Sequence, residues 1–84
     1  YGGSITECEP STTSREAVFA DVQAETGGNF VHPYNDPRVI AGQGTCSYEL
    51  MEQTDGVDIV VAPIGGGGMI SGTCLTLSNI APDT

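Results

Sequence analysis

Val57-Asp58-Ile59-Val60-Val61-Ala62-Pro63-Ile64 runs directly into Gly65-Gly66-Gly67-Gly68, and Met69-Ile70-Ser71-Gly72 follows. The first eight residues are rich in β-branched side chains and do not alternate with polar ones, the pattern of a parallel strand covered on both faces. Met69, Ile70, Thr73, Cys74 and Leu77 then fall at helical spacing, with a stop near Pro82. The glycine run therefore lies beyond the carboxyl end of a strand, where open α/β sheets bind their ligands. Without Cβ atoms it turns sharply and offers several N–H groups to one anion. The helix after it adds its free N–H groups and the positive end of its dipole. A phosphate suits that place and needs no cationic side chain; a flexible turn is the alternative, because a glycine run alone is a weak signal. Two other phosphate motifs are excluded. A Walker A loop requires Lys where Met69 stands, and the dinucleotide fingerprint requires glycine at Ile70 or Ser71.

Upstream, the pattern repeats strand then helix. Ser4-Ile5-Thr6-Glu7-Cys8 alternates as a strand near a sheet edge. Thr13 and Glu16 are spaced as a capping box for a helix reaching about Glu25, with Gly27-Gly28 as its left-handed stop. Asn29-Phe30-Val31-His32 reads as a short second strand. Asp36 and Pro37 are the N-cap and first residue of a second helix to about Gln53. Gly42 and Gly44 inside that helix point to close approach of another backbone or a ligand. The expected fold class is therefore α/β, a βαβαβα segment of a parallel, three-layer sheet with right-handed crossovers. Three strands are few for such a sheet, so the chain reads as a piece of something larger.

The 84 residues carry eleven Asp and Glu against two cations, Arg15 and Arg38, for a formal charge of −9. That balance argues against nucleic acid and anionic membranes as partners. No stretch is long and apolar enough for a membrane span, and no leader pattern is present, so a cytoplasmic location is expected. Cys8, Cys46 and Cys74 are widely spaced and odd in number, which fits small buried thiols in a reduced compartment better than a disulfide framework or a CxxC pair. The chain has no lysine, so it has no amine with which to hold a carbonyl cofactor as a Schiff base.

Pro63-Ile64-Gly65-Gly66-Gly67-Gly68-Met69-Ile70-Ser71-Gly72 resembles the tetraglycine loop of serine racemases and threonine (serine) dehydratases, the fold-type II pyridoxal-phosphate (PLP) enzymes. His32-Pro33-Tyr34-Asn35-Asp36-Pro37, Val39-Ile40-Ala41-Gly42-Gln43-Gly44-Thr45, Tyr1-Gly2 and Cys8-Glu9-Pro10 match the same family in order and spacing. The resemblance implies that residues 1–35 belong to a small domain and 36–84 to the large PLP-binding domain, with a hinge near residues 34–36. It implies that backbone groups of Gly65, Gly66, Gly67, Gly68 and Met69 bind the cofactor phosphate and that Tyr34 faces the cofactor. Animal serine racemases tend to have Asn where Tyr34 stands, so this chain looks more like the dehydratases. Tyr1 matches a nucleotide-contacting tyrosine, and Asp58 a position that touches a divalent cation (Mg or Ca). The Schiff-base lysine and the main metal carboxylates of the family match nothing here.

The resemblance thus implies the phosphate-cradling segment of a PLP-dependent ammonia-lyase (dehydratase) or serine racemase. Its substrate would be a small hydroxy amino acid, its partner the remainder of the enzyme chain, and its assembly a homo-oligomer. A lysine-free, stand-alone module that binds a phosphate compound or a partner without catalysis is the alternative. His32, the single histidine, reads as a hydrogen-bonded structural residue rather than a general base. Gln43 and Thr45 read as packing beneath the loop.

Overall fold

A computed structural model describes residues 1–84. Three helices form: α1 (Thr12–Thr26), α2 (Pro37–Thr54) and α3 (Gly68–Ile80). All three were legible in sequence, and the strands between them were not realised. Residues 4–8, 29–32 and 57–64 follow irregular paths with no ladder, so the expected βαβαβα parallel sheet is absent. The physical reason lies in what a strand is. A helix satisfies its N–H and C=O groups within its own segment, whereas a strand borrows every partner from a neighbour, and these three segments do not pair with one another. In the 57–64 segment Ile59, Val61 and Ile64 remain 79%, 91% and 74% exposed. The apolar run encodes a demand for cover on both faces and says nothing about which segment supplies it.

The chain separates into two compact units, Tyr1–Phe30 and Val31–Thr84. In the first, α1 starts two residues earlier than a Thr13 cap would place it. Ser11 Oγ accepts the Ser14 N–H at 3.1 Å, so the first available hydroxyl took the N-cap and Glu16 closes no capping box. Gly27, at φ 66°, ends the helix in the left-handed conformation as expected. Phe19 meets Phe30 with ring centroids 4.4 Å apart, and no residue of α1 is buried.

In the second unit α2 and α3 pack on each other. Their crossing is set by Gly44 and Gly72. A Cβ on Gly44 would lie 2.5 Å from Thr76 Oγ1 and 3.0 Å from the Gly72 carbonyl oxygen. A Cβ on Gly72 would strike the Ile40 carbonyl oxygen, and the Gly44 nitrogen at 2.6 Å. The close approach expected at Gly44 is thus another backbone, whereas Gly42 has open space around it. Thr76 Oγ1 and Ser47 Oγ both donate to the Gly44 carbonyl, at 3.2 and 2.9 Å, and fasten the crossing. Ser47, Thr73 and Leu77 are the buried side chains beside it, and Leu77 is the sole hydrophobic one.

Candidate functional site

The sequence leaves the N-terminus of α3 open. Its N-cap is Gly67, held at φ 93°, and no side chain caps the first turn. The first intrahelical bond runs from the Ser71 N–H to the Gly67 carbonyl, so the N–H groups of Gly68, Met69 and Ile70 precede the ladder. Residues 65–69 line a cavity of about 280 Å³, together with Pro33, Tyr34, Gln43 and Pro63. None of these side chains carries a charge. In a chain with eleven acidic residues, the one concavity at an uncapped helix start has no carboxylate to repel an anion.

Tyr34 and the glycine run meet directly. A Cβ on Gly66 would enter the Tyr34 ring, and one on Gly68 would lie 3.0 Å from the Tyr34 Cα, Cβ and carbonyl oxygen. Two residues that are 32 apart in sequence are therefore fitted to each other without spare room. Gly67 is needed for its positive φ, Gly66 and Gly68 for the passage of Tyr34. Gly65 has no such neighbour and an ordinary φ, so nothing within the chain requires glycine there. Gln43, expected beneath the loop, lines the cavity beside it.

His32 supports Tyr34. Its Nδ1 accepts the backbone N–H groups of Tyr34 at 3.2 Å and Asn35 at 2.8 Å, as the structural reading of this histidine anticipated. The turn leads into α2, where the Asp36 carboxylate accepts the Arg38 N–H at 2.8 Å and the Arg38 guanidinium at 3.1 and 2.8 Å. Those bonds, the side-chain one foremost, hold the Asp36 carboxyl at about 2, below the usual carboxylate range. The Asp36 cap was foreseen from the sequence, but the fork from Arg38 was not; an Asp-x-Arg spacing at a helix start is the signal that could have found it.

Asp58 and Tyr1 are both exposed, and no three His, Cys, Asp or Glu side chains are grouped to hold a metal ion. Cys8, Cys46 and Cys74 are free thiols, and all three are exposed where buried thiols were expected. A larger groove of about 490 Å³ lies on α2 and α3 between Ile40, Ala41, Leu75 and Ile80. It is apolar, and the helix start that borders it at Pro37 is already capped by the Asp36 carboxylate, so the smaller cavity is the one equipped for an anion. No helix is long and apolar enough to cross a membrane.

The family described as "Pyridoxal-phosphate dependent enzyme" matches residues 1–84. The β-hydroxyaspartate dehydratase of Paracoccus denitrificans is 82% identical over all 84 residues, which make up 27% of that protein. Human serine racemase is 50% identical over 82 residues, 98% of this chain and 24% of the relative. The solved structure of maize serine racemase superposes with a TM-score of 0.86 at 46% identity, covering 98% of this chain and 25% of that one. The chain thus spans about a quarter of the length of the proteins it matches.

Proposed function

The chain belongs to the family of pyridoxal-phosphate-dependent enzymes, and from that premise we propose that it is the phosphate-cradling segment of a dehydratase acting on a β-hydroxy amino acid. The observation that carries the cradle is the uncapped start of α3, opening into a cavity lined by residues 65–69 and by no charged side chain. The fit is good on chemistry. A phosphate dianion needs converging N–H donors and a favourable field, and a glycine loop feeding a helix start supplies both. The dipole is worth about 0.3–1 kcal/mol to such an anion, up to about 2 when partly buried.

Gly65, Gly66, Gly67, Gly68 and Met69 would hold the phosphate through their backbone N–H groups, with Tyr34 walling the cavity on one side. Bound there, PLP supplies an electron sink for breaking bonds at the amino acid's α-carbon. The chain's residues anchor the cofactor by its phosphate tail and fix where its ring can lie. With no lysine in these 84 residues, the cofactor's aldehyde is held by a residue outside them.

The identity to a β-hydroxyaspartate dehydratase supports a hydroxy amino acid with a second carboxylate as substrate; serine and threonine are the smaller competitors. The assignment of residues 1–35 to a small domain and 36–84 to a large one, the homo-oligomer, and contacts of Tyr1 with a nucleotide and Asp58 with a divalent cation rest on resemblance to the family. The test is Gly66→Asp in the intact protein. Its side chain meets the Tyr34 ring and sets a carboxylate beside the phosphate. Equilibrium dialysis should show PLP affinity lower by about a hundredfold or more, from overpacking and like charge together. Wild-type affinity in this variant would remove the cradle. Ammonia release from β-hydroxyaspartate, serine and threonine then ranks the substrates, and a rate on serine exceeding that on β-hydroxyaspartate would reject the dicarboxylate reading.

A further inference from the structure

We propose that His32 is a positioning residue for the phosphate cradle, acting through Tyr34; the inference rests on the reading of the glycine loop as the phosphate site. One imidazole grips Tyr34 in two places. Its Nδ1 accepts the Tyr34 N–H and, more tightly, the Asn35 N–H, at 3.2 and 2.8 Å. Its ring meets the Tyr34 ring edge to face, with centroids 4.6 Å apart and planes at 90°. Pro33 between them has no N–H and a fixed φ, so the two amides that follow it are the ones that turn back to the imidazole. As a double acceptor, Nδ1 carries no proton, which leaves the neutral ring's proton on Nε2.

Tyr34 has little freedom of its own to lose. Its ring occupies the space over Gly66, and its backbone passes Gly68 with no room for a methyl group. A shift of Tyr34 is therefore a shift of the wall that faces the loop's N–H groups. At 43% exposure Tyr34 is not held by burial alone, so the grip from His32 completes what its fit against Gly66 and Gly68 begins. Glycine at 66 and 68, tyrosine at 34 and histidine at 32 form one mechanical chain, from the proposed phosphate donors to a residue outside the cavity lining.

Two substitutions in the intact protein divide the grip. His32→Phe keeps a ring edge and removes the acceptor; His32→Asn keeps an acceptor near the Nδ1 place and removes the ring. PLP affinity of the apoprotein and the ³¹P resonance of the bound cofactor are the readouts. His32→Phe should weaken PLP by about tenfold, the scale of two lost hydrogen bonds at a partly exposed site, and shift the ³¹P line. His32→Asn should restore affinity to within about threefold of wild type. In a Tyr34→Ala background His32→Phe should add nothing further, because the residue through which it acts is gone. An unchanged affinity and ³¹P line in His32→Phe would overturn the proposal. So would equal losses in both single variants, or a full additional loss on top of Tyr34→Ala. If Gly66→Asp weakens PLP while His32→Phe is silent, only this inference falls; if Gly66→Asp is also silent, the cradle falls with it.

Discussion

Helices α2 and α3 both begin with N–H groups that lack a carbonyl partner, yet α2 fills that place with a carboxylate and α3 with glycine. At α2 the Asp36 side chain takes the Arg38 N–H, and the Arg38 guanidinium then takes the carboxylate. The positive end of that helix is spent inside the chain, and an external anion would meet Asp36 first. At α3 the field and the donors are left unused. The difference is one of side-chain length at the N-cap: Asp reaches its own helix, and Gly67 has nothing to reach with. Two helices packed on one another thus differ, through a single position each, in whether their first turn is capped from within the chain.

The most damaging way to break this comparison is to separate the two helices. Gly72→Ala sets a methyl group against the Ile40 carbonyl oxygen and the Gly44 nitrogen, both backbone atoms that have nowhere to go. The loss should be about 1–3 kcal/mol, seen as a lower denaturation midpoint of the intact protein. An unchanged midpoint would show that the crossing is not held by close backbone contact.

A milder change carries α2's solution over to α3. Gly67→Asn tolerates the positive φ and adds no charge, so PLP affinity should stay within about threefold of wild type. Gly67→Asp has the same shape with a carboxylate, and should cost about tenfold by occupying the field the proposed phosphate site relies on. Equal affinities in the two variants would mean that the charge at this N-cap does not matter.

The smallest effect is at α2. The folded-state value of Asp36 is lowered, from 3.8 to about 2, so its contribution is complete above 3.8 and is lost as pH falls through about 2. Asp36→Asn should remove that slope. The difference in thermal midpoint between wild type and variant, measured by circular dichroism, should be a few degrees at pH 5, shrink as pH falls toward 2 and vanish only below it. A difference that persists at low pH would assign the effect to shape rather than charge.

All three helices could be found in sequence because their start and stop signals are local. Asp36-Pro37 and Gly27 act within one turn of themselves, and even the displaced cap of α1 moved only from Thr13 to Ser11. The glycine run could be placed at a helix start for the same reason. The strand reading of residues 57–64 was right about composition and wrong about structure in this chain, since pairing is supplied by a neighbour and not by the segment. Gly72 looked like part of a loop motif and proved to be half of a helix crossing, because its partner Gly44 is 28 residues away. Sequence could list Tyr34, Gln43 and the glycines as members of one family pattern without showing which of them touch.

Sequence by itself determined the helices, the open start of α3, the family, and the absence of any lysine to hold a carbonyl. These are properties of identity and of short-range spacing, fixed before the chain folds. Tertiary structure alone decided that Tyr34 lies on Gly66 and Gly68, that His32 grips Tyr34, and that no acidic residue of this very acidic chain lines the cavity. Such contacts depend on where distant segments come to rest. That is set by excluded volume at the points of closest approach, and by no residue's own propensity.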